Sequence, residues 1–130
     1  MATQPATPIK QGMEIKEPPQ FQFKRVGDTL SGIFYSIEPA TITDQKTGKL
    51  KETTRYIFLD DETRTQRTSC LETNDLKKKL WPGLLGFFLN VRYDNDDASF
   101  AEPGQNAMKV FKITTRSSHK EPGFENIGAF

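Results

Sequence analysis

The chain has 130 residues, 35% hydrophobic and 27% charged, with a formal net charge of +1. That length suits one domain with its own core and is short for two. One cysteine, Cys70, and one histidine, His119, exclude an internal disulfide, a zinc set and the usual imidazole metal site, and leave a Ser-His-Asp or Cys-His nucleophile resting on a single residue near the C-terminus.

In chain order, residues 1–20 are rich in Pro, Gln, Thr and Lys and show no period, which predicts a disordered or loosely attached arm. The folded domain is expected over 21–117, because ten Phe, three Tyr and one Trp are too many aromatics for a disordered chain. The stretch "FQFKRVGDTLSGIFYSIEPATI" is rich in β-forming residues, with "GD" as a turn, and predicts a long first strand over 29–42. Gly32 inside it marks a bend or bulge. A polar loop over 43–52 follows, with Gly48 suited to a positive-φ turn position. "TTRYIFLD" predicts the second strand, "DDET" a turn, and "RTQRTSCLE" a polar third strand. "TNDLKKKLW" offers Thr73 as N-cap, Asp75 in the first turn, and Leu76 with Leu80 at i,i+4, a short helix closed by Pro82-Gly83. "GFFLNVRY" predicts the fourth strand, 94–104 a flexible acidic loop, "NAMKVFKITTRSS" the fifth strand, and 118–130 a tail. Five strands with a helix between the third and fourth give an all-β chain laid out as a five-stranded OB-fold barrel; a small β-sandwich with a helical connector satisfies the same order.

The acidic loop holds Asp94, Asp96, Asp97 and Glu102 and no base, so the body of the chain carries a basic excess. On the fourth strand Phe87, Leu89, Val91 and Tyr93 make one unbroken apolar face, expected to enter the core. Phe88, Asn90 and Arg92 make the other face. Rings beside cations suit single-stranded nucleic acid, where bases stack on rings and cations follow phosphates. The candidate platforms are Tyr35, Tyr56, Phe58, Phe88 and Phe111. The candidate phosphate contacts are Lys46, Lys49, Lys51, Arg55, Arg64, Arg67, Arg92 and Lys109. Each aromatic also has a plain reading as core, and Phe88 has one as packing under Phe21 or Phe23. Trp81 is expected to plug one end of the barrel with Leu76 and Leu80, and Lys77, Lys78 and Lys79 to form a solvated helix face. No phosphate-gripping glycine motif or catalytic constellation is present, so neither an enzyme nor a cofactor is expected. No apolar run reaches membrane-spanning length and "MATQPATPIKQGM" lacks a signal core, so a cytoplasmic protein with no membrane partner is expected.

"VGDTLSGIF", "YIFLDDE", "LETNDLKKKLWPG" and "MKVFKI" together resemble the small OB-fold single-stranded-DNA-binding proteins of phages and bacteria. Those start on a "GD-x-L-x-G" strand, carry a short helix before the fourth strand and end on a "K-x-F-x-(V/I)" strand. The resemblance covers 26–115. It implies largely sequence-independent binding of single-stranded DNA, in replication, recombination or repair. In that family an acidic tail closing on an aromatic recruits replication and repair proteins. Here the matching residues are Phe124, Ile127 and Phe130, with Ala129 where the family usually has proline. The rival expectations are a protein-interaction module on the same barrel and an inhibitor whose acidic loop mimics DNA.

Overall fold

The computed structural model describes residues 19–44, 46–97 and 107–127. Strand β1 (Thr29–Thr43) is rich in β-branched and aromatic residues and passes through Gly32 without a break. Gly32 is buried because β2 runs against it: a Cβ there would lie 2.7 Å from the Leu59 carbonyl oxygen. A turn with Gly48 at φ +71° leads into β2 (Leu50–Leu59). Asp60 then accepts from the backbone N–H groups of Glu62 and Thr63, at 3.2 and 3.0 Å, in the turn before β3 (Arg67–Leu71). Arg64 belongs to that turn, at φ +55°, and not to the strand expected there.

Helix α1 (Asn74–Lys79) starts where the cap signal places it: Thr73 Oγ1 accepts from the Leu76 N–H at 3.1 Å. A 3-10 turn over Pro82–Leu84 leads into β4 (Phe88–Asp97), and β5 (Met108–Thr115) follows. β4 continues through Asp94, Asp96 and Asp97, three residues expected in a loop, because Asn95, Asp96 and Asp97 pair with Val110, Lys109 and Met108 beyond a bulge. The rest of the acidic segment, with Glu102, lies outside the described residues, as do residues 1–18.

All strand pairs are antiparallel, in one sheet of order β3-β2-β1-β4-β5. β1 holds it together: Thr29–Ile33 pair with β4, and Ile33–Thr43 pair with β2. The strands therefore form an open sheet with β3 and β5 as its edges; the expected barrel closure is not made by a strand ladder among the described residues. Unpaired edge groups invite foreign strands, and here the chain itself meets both edges in part. Residues 19–21 run along β3, with Phe21 N–H donating to Ser69 O (2.7 Å) and Ser69 N–H to Pro19 O (2.8 Å). On β5, the Phe111 N–H donates to Asp75 Oδ2 (2.8 Å) and Lys79 Nζ donates to Phe111 O (2.6 Å). Two side chains one helical turn apart thus grip both polar groups of one edge residue.

The core lies on one side of the sheet, where Phe34, Tyr56, Phe58, Leu89, Val91, Tyr93 and Phe111 meet Leu76 of α1 and Leu80 at its C-cap. Phe34 stacks on Phe58 with centroids 5.2 Å apart, and Phe23 of the N-terminal segment meets Phe111 edge-on at 4.8 Å. The expected apolar face of β4 does enter this core. Phe88 faces the other way; Phe23 packs on Phe111 instead, with Phe21 against Phe23. Residues 116–127 are docked back on the domain, although 118–130 was expected as a tail beyond it; 128–130 lie outside the described residues. Glu121 N–H donates to Gly86 O (2.8 Å), Arg64 donates to Pro122 O (2.7 Å), and Ile127 packs on the core cluster. Trp81 was expected inside; it is 58% exposed.

Candidate nucleic-acid interface

Directly paired residues of neighbouring antiparallel strands share a face, so the register lays out the outer side of the sheet, away from the core, in rows. One row reads Phe88, Ile33, Leu59, Arg67 across β4, β1, β2 and β3. The next reads Thr114, Asn90, Ser31 across β5, β4 and β1, and the third reads Lys112, Arg92, Thr29. Side chains tie the middle row together: Ser31 Oγ donates to Asn90 Oδ1 (2.7 Å), and Asn90 Nδ2 donates to Thr114 Oγ1 (3.5 Å). Arg67, Arg92 and Lys112 are exposed, and among the described residues no carboxylate pairs with any of them.

The docked C-terminal segment occupies the end of this face beyond the Phe88 row. The Arg116 guanidinium lies 4.2 Å above the Phe88 ring. It also makes a two-pronged bond to Asp61, at 2.7 and 2.8 Å, and pairs with the buried carboxylate of Glu121. These acids push the Arg116 pKa up, and the hydrogen bond from Arg116 holds the Asp61 carboxyl below its usual value. Tyr35 sits in the β1 bulge, between the Arg67 guanidinium (5.2 Å from the ring centre) and the edge of Phe124 (centroids 6.4 Å). Arg64 lies over Phe124 at 5.5 Å.

The structure therefore brings Tyr35, Arg64, Arg67 and Phe88 to one face and adds Arg92 along it. Tyr35 and Phe88 are half-buried and already in contact with the chain's own cations. The other rings proposed as platforms are corrected. Tyr56, Phe58 and Phe111 are 2%, 1% and 2% exposed, sealed in the core with no face for a base. Burial pushes the Tyr56 phenol up to about 12. Arg55 shares the outer face but is buried beside the Glu38 position. Lys109 is committed elsewhere, donating to Phe23 O (2.7 Å) over the Tyr93 ring. Lys46, Lys49 and Lys51 are exposed at the far turn, about ten residues and roughly 33 Å along β1 from the Phe88 row. Phe124 and Ile127, proposed as a partner-binding tail, are half-buried against the domain, and Phe130 lies outside the described residues.

Three residues of this surface escaped the sequence reading. Lys112 and Arg116 follow the fifth-strand aromatics, and only the β4–β5 register puts Lys112 beside Arg92. Trp81 had a local signal: Pro82 holds the preceding residue extended (φ −99°, ψ 161°), which carries its ring away from the helix axis. Cys70 offers no chemistry here, since burial pushes its thiol up to about 12. Comparison with protein-family models, curated proteins and solved structures finds no match to this chain. Among the described residues no helix is long and apolar enough to cross a membrane.

Proposed function

We propose that the protein binds single-stranded nucleic acid, DNA in the first instance, along the outer face of its sheet, in the service of replication, recombination or repair. One observation carries this reading: Lys112, Arg92 and Arg67 stand on that face without carboxylate partners among the described residues, with Asn90, Ser31 and Thr114 set between them. Cations without acids follow a phosphate chain, and amide and hydroxyl groups suit its sugars and base edges. The strand order, with α1 between β3 and β4, supports an OB-type architecture whose seam between β3 and β5 is filled by residues 19–24 rather than by a ladder.

Anisotropy of fluorescein-labelled oligo-dT tests it. Three phosphate contacts give a log–log salt slope of about −2 for a single strand. Affinity tightening along that slope as salt falls supports the reading. A dissociation constant weaker than millimolar at low salt contradicts it.

A second reading, a protein-interaction module, draws on one observation: Tyr35 and Phe88 already hold a peptide, the chain's own residues 116–127. An acidic peptide that binds where oligo-dT does not would favour it.

A further inference from the structure

Trp81 is the one tryptophan of the chain, and it stands in solvent. A large indole left outside a core forgoes the stabilisation of burial, so its placement needs a cause. The local backbone supplies one. Trp81 is held extended ahead of Pro82, its carbonyl accepts from the Leu84 N–H (3.0 Å), and its six-membered ring rests where a Cβ on Gly83 would collide with it. The ring is fixed against glycine on one side and open on the other.

It forms one wall of a groove of about 450 Å³ between the end of α1 and the β5 edge. Leu84 and Ile113 line the apolar part, Lys78 and Lys112 the polar part, and among the described residues no carboxylate lines it. Lys79, also in the lining, is committed to Asp75 (2.8 Å). Lys78 and Lys112 are exposed and have no carboxylate partner among the described residues. A flat π surface with two ammonium groups beside it matches a base with its flanking phosphates. Lys112 is also the β5 end of the Lys112–Arg92–Thr29 row, so this groove and the outer face share a residue. That continuity favours a polymeric anion crossing β5 over a separate small ligand.

We infer that Trp81, with Lys78 and Lys112, is a stacking site for one nucleotide of a single strand that leaves the outer face across β5. The inference rests on the nucleic-acid reading above and names a contact that reading does not require.

The lone indole makes the test direct. Oligo-dT is titrated into the full chain while tryptophan emission and the anisotropy of the labelled oligonucleotide are followed in parallel. Stacking quenches the emission along the same curve as the anisotropy rise. Trp81→Ala weakens binding by roughly 5- to 150-fold, the range of one stacked base, and Trp81→Phe recovers part of it. Gly83→Ala, which displaces the ring without removing it, lowers affinity and blunts the quench. Binding with unchanged emission, and with Trp81→Ala as tight as the parent, overturns this site and leaves the outer-face reading standing. No anisotropy change at low salt overturns both. Quenching by an acidic peptide but not by oligo-dT overturns the site as a nucleotide platform and assigns the groove to protein.

Discussion

At the residue scale, one unforgiving position has no side chain. Gly32 lets β1 lie under β2, and the atoms that a Cβ would meet, Leu59 O at 2.7 Å and Phe58 Cβ at 3.2 Å, belong to a paired strand that cannot swing aside. Gly32→Ala is expected to cost about 1–3 kcal/mol, read as a lower urea midpoint with an unchanged slope. A loss within about 0.5 kcal/mol would mean that the strands separate more easily than this packing implies. The sequence marked Gly32 as a bend or bulge, whereas the bulge falls at Tyr35 and Gly32 is a point of close approach to β2; it placed the rings of the fourth strand correctly, since Leu89, Val91 and Tyr93 alternate against Asn90 and Arg92. It could not sort Tyr56 and Phe58 from Ile57 and Leu59. Both faces of β2 are buried, so alternation carries no sign of which side is the core. Substituting Phe58 is accordingly expected to unfold the protein rather than to weaken a ligand contact, with a loss of about 3–5 kcal/mol for Phe58→Ala.

At the element scale, α1 was legible and the C-terminal segment was not. The helix announces itself locally, through Thr73, Asp75, Leu76 and Leu80, and each of these does in the structure what its spacing implies. Asp75 does more: its carboxylate is buried and takes the Phe111 N–H of the sheet edge. Asp75→Ala orphans that donor and is expected to cost about 1–3 kcal/mol, with faster amide exchange at Phe111 as the local readout. The segment 116–127 has no hydrophobic period, and its docking depends on Arg116 meeting Asp61, 55 positions away in the chain, a contact no window of sequence displays. Its pH response follows from Asp61, whose folded pKa lies below the unfolded value. The stabilisation is complete above the unfolded value of about 3.9 and is lost as pH falls through the lower folded value. The segment should therefore loosen below roughly pH 4, seen as increased deuterium uptake over 116–127 before uptake in β1 and β4. Arg116→Ala should produce the same local uptake at neutral pH. Protection that stays unchanged in the variant would show that Glu121 and Phe124 hold the segment alone.

At the scale of the whole molecule, the fold is an open five-stranded sheet whose two edges are each met in part by the chain itself, with a sealed aromatic core on one side and a polar, basic row on the other. The layout of strands and helix was readable because turns and period shifts punctuate it. The binding surface was half readable. Arg67, Phe88 and Arg92 emerged from alternation within single strands, whereas their assembly with Lys112 and Arg116 needed the register across strands. Arg64, which looked equivalent to Arg67, serves the C-terminal segment through Pro122 and Phe124, so replacing it would confuse docking with binding. Arg92→Glu with Lys112→Glu avoids that confusion, because neither side chain touches the C-terminal segment, and is the most direct measurement. If the outer face holds the strand, the double variant keeps its Tm and loses at least about tenfold in oligo-dT affinity, with a shallower salt slope. A double variant that binds oligo-dT as tightly as the parent, on the same slope, would contradict the outer face as the nucleic-acid site.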